Sequence, residues 1–169
     1  MMETERLELA QLSYDDCEFV RDLVNEPSFI RYIGDRGVRS LDDAYEYLRK
    51  GPLDSYEKHG YGLYRVCHRC DTTPLGICGL VKRDEFPHPD LGFAFLERHW
   101  GRGYAYESSL ATLDHARNKL ALKHIIAVAD GDNEASIKLL RKLGFQFEDM
   151  VRMSGESKEI CRYALDLPE

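Results

Sequence analysis

The sequence predicts one mixed α/β (α+β) domain, a single central β-sheet of about six to seven strands flanked by helices. Three observations lead there. From about Asp90 the pattern alternates strand, glycine turn, helix, strand, helix, strand, which is a βαβαβ series. Ahead of it, Tyr61 to Val66 and Leu75 to Val81 are two β-like runs separated by the polar turn Arg69 to Pro74, which is the pattern of a hairpin. The 169 residues, 43% of them apolar, suffice for one sizeable core, and no linker-like tract, repeat or low-complexity segment divides residues 1–169.

Each element has its own signal. Leu7, Leu9 and Leu12 alternate with polar residues as an opening strand. Ser13 is placed to cap a first helix whose buried stripe includes Cys17, Val20 and Val24, and Asn25-Glu26-Pro27 is expected to end it. Ser40, followed by Asp42 and Asp43, predicts a second helix with Ala44, Tyr47 and Leu48 on one face, kinked or stopped at Gly51-Pro52. Two prolines within Asp84–Pro89 predict a loop. The run Leu91-Gly92-Phe93-Ala94-Phe95-Leu96 has the bulk of a buried strand, and Ala105, Ser109, Leu113, Ala116 and Leu120 recur at helical spacing. A strand is expected over His124–Ala129, a helix over Asn133–Leu143, a strand from Phe145 and a last alternating strand over Glu159–Leu167.

Composition narrows the function. With 23 Lys and Arg against 30 Asp and Glu the net charge is −7, which argues against a general nucleic-acid or membrane-surface binder. No apolar stretch reaches the roughly 18 residues of a membrane span and no amino-terminal signal is recognisable, so a cytoplasmic location is expected. Five cysteines, an odd number scattered along the chain, fit reduced thiols. Cys67-His68-Arg69-Cys70 has the spacing of half a zinc site without a second half, so it is read as a hairpin turn and no metal is expected.

The chemistry concentrates in His99-Trp100-Gly101-Arg102-Gly103-Tyr104-Ala105-Tyr106-Glu107, between the buried strand and the helix that follows. Gly101 and Gly103 permit a tight turn and close backbone approach to a ligand. The first amides of the helix have no internal partner and lie at the positive end of its dipole, so an anion is well received there. The turn lacks the lysine of a nucleoside-triphosphate loop, and Tyr106 stands where a dinucleotide fold places its third glycine. Glu107, in the first turn, suits the dipole and is read as structural.

In four stretches the chain resembles the GNAT superfamily of N-acetyltransferases, in particular the branch that includes ribosomal-protein-alanine acetyltransferases. These are Thr4-Glu5-Arg6-Leu7, Gly76-Ile77-Cys78-Gly79-Leu80, Trp100-Gly101-Arg102-Gly103-Tyr104-Ala105, and Asp132-Asn133-Glu134-Ala135-Ser136 followed by Leu143-Gly144-Phe145. They occur in the family's order over nearly the whole chain. The resemblance implies a GNAT fold with two splayed central parallel strands and acetyl-CoA as co-substrate. Unpaired backbone groups of Phe95 and Leu96 would hold the pantetheine arm, and the amides from Gly101 to Ala105, with Arg102 and Tyr104 among them, its pyrophosphate. Asn133 would cap its helix and touch the cofactor. Many members protonate the leaving thiolate with a tyrosine where this chain has Leu140, and Ser136 is the expected replacement acid, also placed to meet the cofactor. Asp90 is the expected general base, with Glu85 and His88 as rivals, and the amide near Phe95 the expected donor to the thioester carbonyl.

The expected reaction is direct attack by a primary amine, either a protein amino terminus or a small molecule, on acetyl-CoA, catalysed by a monomer or homodimer. The same motifs also fit a non-catalytic acyl-CoA sensor or partner-recruiting domain. Ala10 stands where the family's opening strand often carries arginine, which loosens any transfer of acceptor identity.

Overall fold

A computed structural model describes residues 1–168. Its strands are β1 (Met2–Glu3), β2 (Leu7–Gln11), β3 (Leu63–His68), β4 (Pro74–Val81), β5 (Asp90–Phe95), β6 (His124–Ala129), β7 (Gln146–Arg152) and β8 (Glu159–Asp166). They form one mixed sheet of eight strands in the order β1-β2-β3-β4-β5-β6-β8-β7. The strand beyond the expected count is β1, two residues paired to β2 at the sheet edge and too short to leave a periodic signal.

The helices are α1 (Cys17–Val24), α2 (Pro27–Tyr32), α3 (Leu41–Leu48), α4 (Asp54–His59), α5 (Tyr104–Asn118) and α6 (Glu134–Lys142). Ser13 caps a 3-10 turn, Tyr14–Asp16, that leads into α1, and Ser40 caps α3 directly, each through a reciprocal capping box. Asn25-Glu26-Pro27 ends α1 as expected, and Pro27 also opens α2 at a position where its missing N–H costs nothing. Gly51-Pro52 sits in a π-helical turn, Arg49–Leu53, that bends the chain from α3 into α4.

Two apolar clusters lie on opposite faces of the sheet. On one, α5 and α6 contribute Leu113, Ala116 and Leu140 against Leu9, Val66, Cys78, Ile125 and Ala127. On the other, Val20, Leu23, Phe29, Ala44 and Leu48 of α1–α3 pack on Ile77 and Leu96. Because side chains alternate along a strand, Leu91, Phe93 and Phe95 of β5 look toward α5, and Asp90, Gly92 and Ala94 look toward α1–α3.

Candidate active site

The central parallel strands touch at one point only. β5 and β6 register at the single pair Asp90↔Ile126, with the Ile126 amide donating to the Pro89 carbonyl at 3.1 Å, and beyond it they part. The antiparallel ladder to β4 uses the backbone of Leu96, whose amide donates to Leu75 O at 3.0 Å, and with it every second residue back along β5. The N–H and C=O of Leu91, Phe93 and Phe95 therefore point at β6, and those of Phe93 and Phe95 lie past the last paired residue. This corrects the expectation for Leu96, whose amide is committed to β4 and whose carbonyl accepts from the His99 amide at 2.9 Å. Phe95 keeps its amide directed into the gap, but its carbonyl accepts the Trp100 indole Nε1 at 2.9 Å. Trp100, half-exposed, thus braces the turn.

Past β5 a 3-10 turn, Glu97–His99, leads to the glycine loop. Gly101 (φ 75°) and Gly103 (φ 81°) are both left-handed, conformations that a Cβ would strain, and Gly103 forms the N-cap of α5. The first intrahelical bond runs from the Glu107 amide to Gly103 O at 3.0 Å, so the amides of Tyr104 and Ala105 face outward unpaired by the helix. Arg102 is exposed beside them. Loop and helix start thus combine donor amides, a dipole end and an exposed cation, a combination suited to a diphosphate.

Sequence reasoning missed the tie that holds this loop. Glu107 does more than suit the dipole: Oε1 accepts from Thr4 Oγ1 at 2.5 Å and from the Arg6 amide at 3.0 Å, while Oε2 accepts Arg6 Nε at 2.7 Å. Arg6 Nη1 goes on to the Arg102 carbonyl at 2.9 Å, and its guanidinium lies over the Tyr104 ring at 4.9 Å. Burial alone would raise the Glu107 carboxyl, but the hydrogen bonds from Thr4 and Arg6 outweigh it and hold it below the ordinary glutamate range. The signal was present in the Thr4–Leu7 motif, without any indication of its partner.

At the far end of β6, Asn133 Oδ1 accepts the Ser136 amide at 3.2 Å and caps α6. Ser136 is half-buried, and its hydroxyl makes no hydrogen bond among the described residues. Leu140, one turn on, is fully buried in the core. Lys158, in the turn between β7 and β8, clasps the Asp130 carboxylate at 2.9 and 3.0 Å and so fixes that hairpin against the end of β6.

Asp90 stands at the apex of the gap. It is 2% exposed, and its Oδ2 accepts Arg83 Nε at 2.6 Å. Burial pushes its carboxyl up, the Arg83 charge and hydrogen bond pull it partly back, and the net shift is upward. Oδ1 accepts no bond among the described residues. Of the rivals, Glu85 is exposed in the loop, and the His88 ring lies 4.4 Å from that of His124. Ser136 therefore lies on the α6 side of the sheet and Asp90 on the α1–α3 side. On that second side a groove of about 540 Å³ runs between α3, α4 and a floor made by β3 and β4. Among the described residues no group of three or more His, Cys, Asp or Glu is arranged to hold a metal; Cys67 is buried in β3 and Cys70 exposed in the turn.

Comparison with known proteins agrees with this geometry. The model of the acetyltransferase (GNAT) domain matches residues 6–146. The chain is similar to the uncharacterized N-acetyltransferase YoaA of Bacillus subtilis, 29% identical over 154 residues that make up 90% of this chain and 86% of that one. Its fold is that of the ribosomal alpha-N-protein acetyltransferase RimL, solved with coenzyme A, at a TM-score of 0.81 and 18% identity over 97% of this chain and 96% of that one. It is also that of spermidine N-acetyltransferase from Vibrio cholerae, solved with CoA and spermine, at 0.79 and 18% over 96% of each. With most of its length inside one family model, and a sheet that parts where that family's sheets were expected to part, this chain belongs to the GNAT family of acetyltransferases.

Proposed function

We propose that the chain transfers the acetyl group of acetyl-CoA to a primary amine by direct attack of the amine on the thioester. The observation that carries the reading is the single β5–β6 pair at Asp90, which leaves the inner backbone groups of Phe93 and Phe95 for an amide-bearing ligand to complete as a strand would. The pantetheine arm supplies such amides. Its pyrophosphate falls to the amides after Gly101 and Gly103, and its thioester to the apex near Asp90, roughly 17 Å back along the six residues of β5.

An amine entering from the α1–α3 face meets Asp90 first. A carboxylate raised by burial is a better proton acceptor than an exposed one, and Asp90 Oδ1 is free to take the ammonium proton directly or through one water. The Phe95 amide, directed into the gap, is left to the pantetheine arm, and the inner amide of Phe93, nearer Asp90, is the one to polarise the thioester carbonyl. As the tetrahedral intermediate collapses, the thiolate leaves toward the α6 face, where the Ser136 hydroxyl can protonate it. Holding amine and thioester together supplies much of the remaining acceleration. The solved relatives with CoA bound support the donor, and the polyamine and ribosomal-protein enzymes among them show how widely amine acceptors vary on this fold.

Two measurements test the reading. Calorimetric titration with acetyl-CoA is expected to saturate in the micromolar range, and release of free CoA thiol is expected on adding an accepted amine. Absence of saturable binding would overturn the donor assignment. Tight binding without turnover across a broad amine panel would instead mark the chain as an acyl-CoA sensor.

A further inference from the structure

The groove on the α1–α3 side has a charge inventory that selects among amines. Its acidic groups are all spoken for within the chain. Asp43 Oδ2 accepts the Arg39 and Ser40 amides at 3.0 Å, Glu46 is held by Arg49 at 2.8 Å and Lys50 at 3.3 Å, and Asp54 by Lys58 at 2.7 Å. The Lys82 ammonium is occupied by the carbonyls of Arg83 and Phe86. Three lining groups are different, one of them His59, whose ring stacks on that of Tyr61. Among the described residues the Arg36 guanidinium makes no hydrogen bond or ion pair, and the half-buried Tyr47 hydroxyl makes no hydrogen bond. The two are close enough that the Arg36 charge bears on the Tyr47 phenol, as does that of Arg83 beside Asp90.

The groove also reaches the reacting end of β5. A Cβ at Gly92 would meet Leu63 at 3.4 Å and Val81 at 3.7 Å, both lining residues, and Val81 is paired to Asp90. A small molecule seated there has an uncommitted cation and hydroxyl at one end and, at the other, Val81, the strand neighbour of the candidate base. A polyamine would find Glu46 and Asp54 already paired with cations, and only Asp43, held through Oδ2 by two backbone amides, for its distal ammonium. A carboxylate would find two free donors, one of them a guanidinium able to bind it bidentately.

We infer that the acceptor is an amino-acid-like molecule, carrying a carboxylate near its primary amine, and that Arg36 and Tyr47 bind that carboxylate. This rests on the acetyl-transfer reading above. Arg36 and Tyr47 would fix the acceptor so that its amine is directed at Asp90, and they set specificity without touching the reacting atoms.

The test compares leucine with leucinamide, phenylalanine with phenylalaninamide, and spermidine, on the enzyme saturated with CoA for binding and with acetyl-CoA for turnover. Saturation-transfer NMR is expected to show both acids bound in preference to their amides. Arg36→Ala and Tyr47→Phe are each expected to erase that preference, Arg36→Ala by roughly tenfold, the scale of one charge-assisted hydrogen bond. Calorimetry with acetyl-CoA should be unchanged in both variants, and the binding curve doubles as a check of folding. Where turnover occurs, KM for the acid rises and kcat changes little. Absence of an acid-over-amide preference, preferential binding of spermidine, or a preference that survives Arg36→Ala would each overturn the inference. If acids bind through Arg36 while no acceptor is turned over, the carboxylate site stands, and the catalytic reading falls together with the assignment of its ligand as acceptor.

Discussion

The two faces of the sheet meet at one gap and build their halves of the site from different materials. On the α5–α6 side the cradle is mainly main chain: the inner amides of β5, two left-handed glycines and the first turn of α5, with side chains such as Glu107 and Arg6 holding it from outside. On the α1–α3 side the groove is lined by side chains whose charges are mostly cancelled within the chain, leaving Arg36 and Tyr47 uncommitted. A ligand held by backbone is specified by where the chain turns, which few residue types can arrange. A ligand held by side chains depends on which distant residues converge, and many sequences satisfy that. Donor identity is accordingly a family property of such a fold, and acceptor identity is free to drift.

Substitutions that respect this division should separate the two halves. The largest effect is expected from Gly103→Glu, which forces a side chain into a left-handed position 3.3 Å from Arg6 Nη2 and adds negative charge to the anion site. Acetyl-CoA titration should then show at least about a hundredfold weaker binding, several kcal/mol on the usual affinity scale, and unchanged circular dichroism would show that the fold is retained. Next is Asp90→Asn, expected to lower kcat/KM by about 10²-fold, the usual scale for a lost general base. It should leave acetyl-CoA affinity intact and remove the acidic limb of the pH–rate profile. If that limb survives unchanged, Asp90 is not the base. Ser136→Ala should lower kcat by roughly tenfold, less than the usual ~10²–10⁴-fold of a general acid because a thiolate also leaves unprotonated, with affinity unaffected; a loss in affinity alone would reassign the hydroxyl to cofactor binding.

The smallest effect concerns stability. Because the folded Glu107 carboxyl lies below its unfolded value, its network contributes fully above the ordinary glutamate range and is lost as pH falls through the depressed value. Urea unfolding at neutral and acid pH should therefore show Glu107→Gln less stable by about 1–2 kcal/mol at neutral pH, with the difference closing in acid. A constant gap at all pH values would show that packing, and not the charge, holds the segment.

The contrast between the halves also explains which features were legible in the sequence. The helix over Asn133–Leu143 was read within one residue at each end because an asparagine cap and a glycine stop are local signals. Gly101 and Gly103 were read for the same reason. Pro27 showed only half of its role in the sequence, because the residue that ends one helix can equally open the next, and the packing of Phe29 against the core makes α2 follow at once. The commitment of the Leu96 amide was hidden because ladder parity depends on the register of β4, eighteen residues upstream of Leu96 at its mid-point by the pairing Cys78↔Phe93. Arg83 beside Asp90 and Glu107 beside Arg6 are consequences of tertiary structure and leave no mark in composition or spacing, whereas the groove carboxylates Glu46 and Asp54 pair with cations three or four residues along their own helical segments.

The tether from Thr4 and Arg6 to Glu107 joins positions 101 or more residues apart. Closing so long a loop carries an entropic cost that local turns do not, so this latch belongs among the last contacts to form and the first to open. Amide exchange at Arg6 should then report on the order of the phosphate loop, although the amide belongs to another segment of the chain. A tag or cleavage at the amino terminus would act on the donor remotely, by loosening the loop and not by obstructing it.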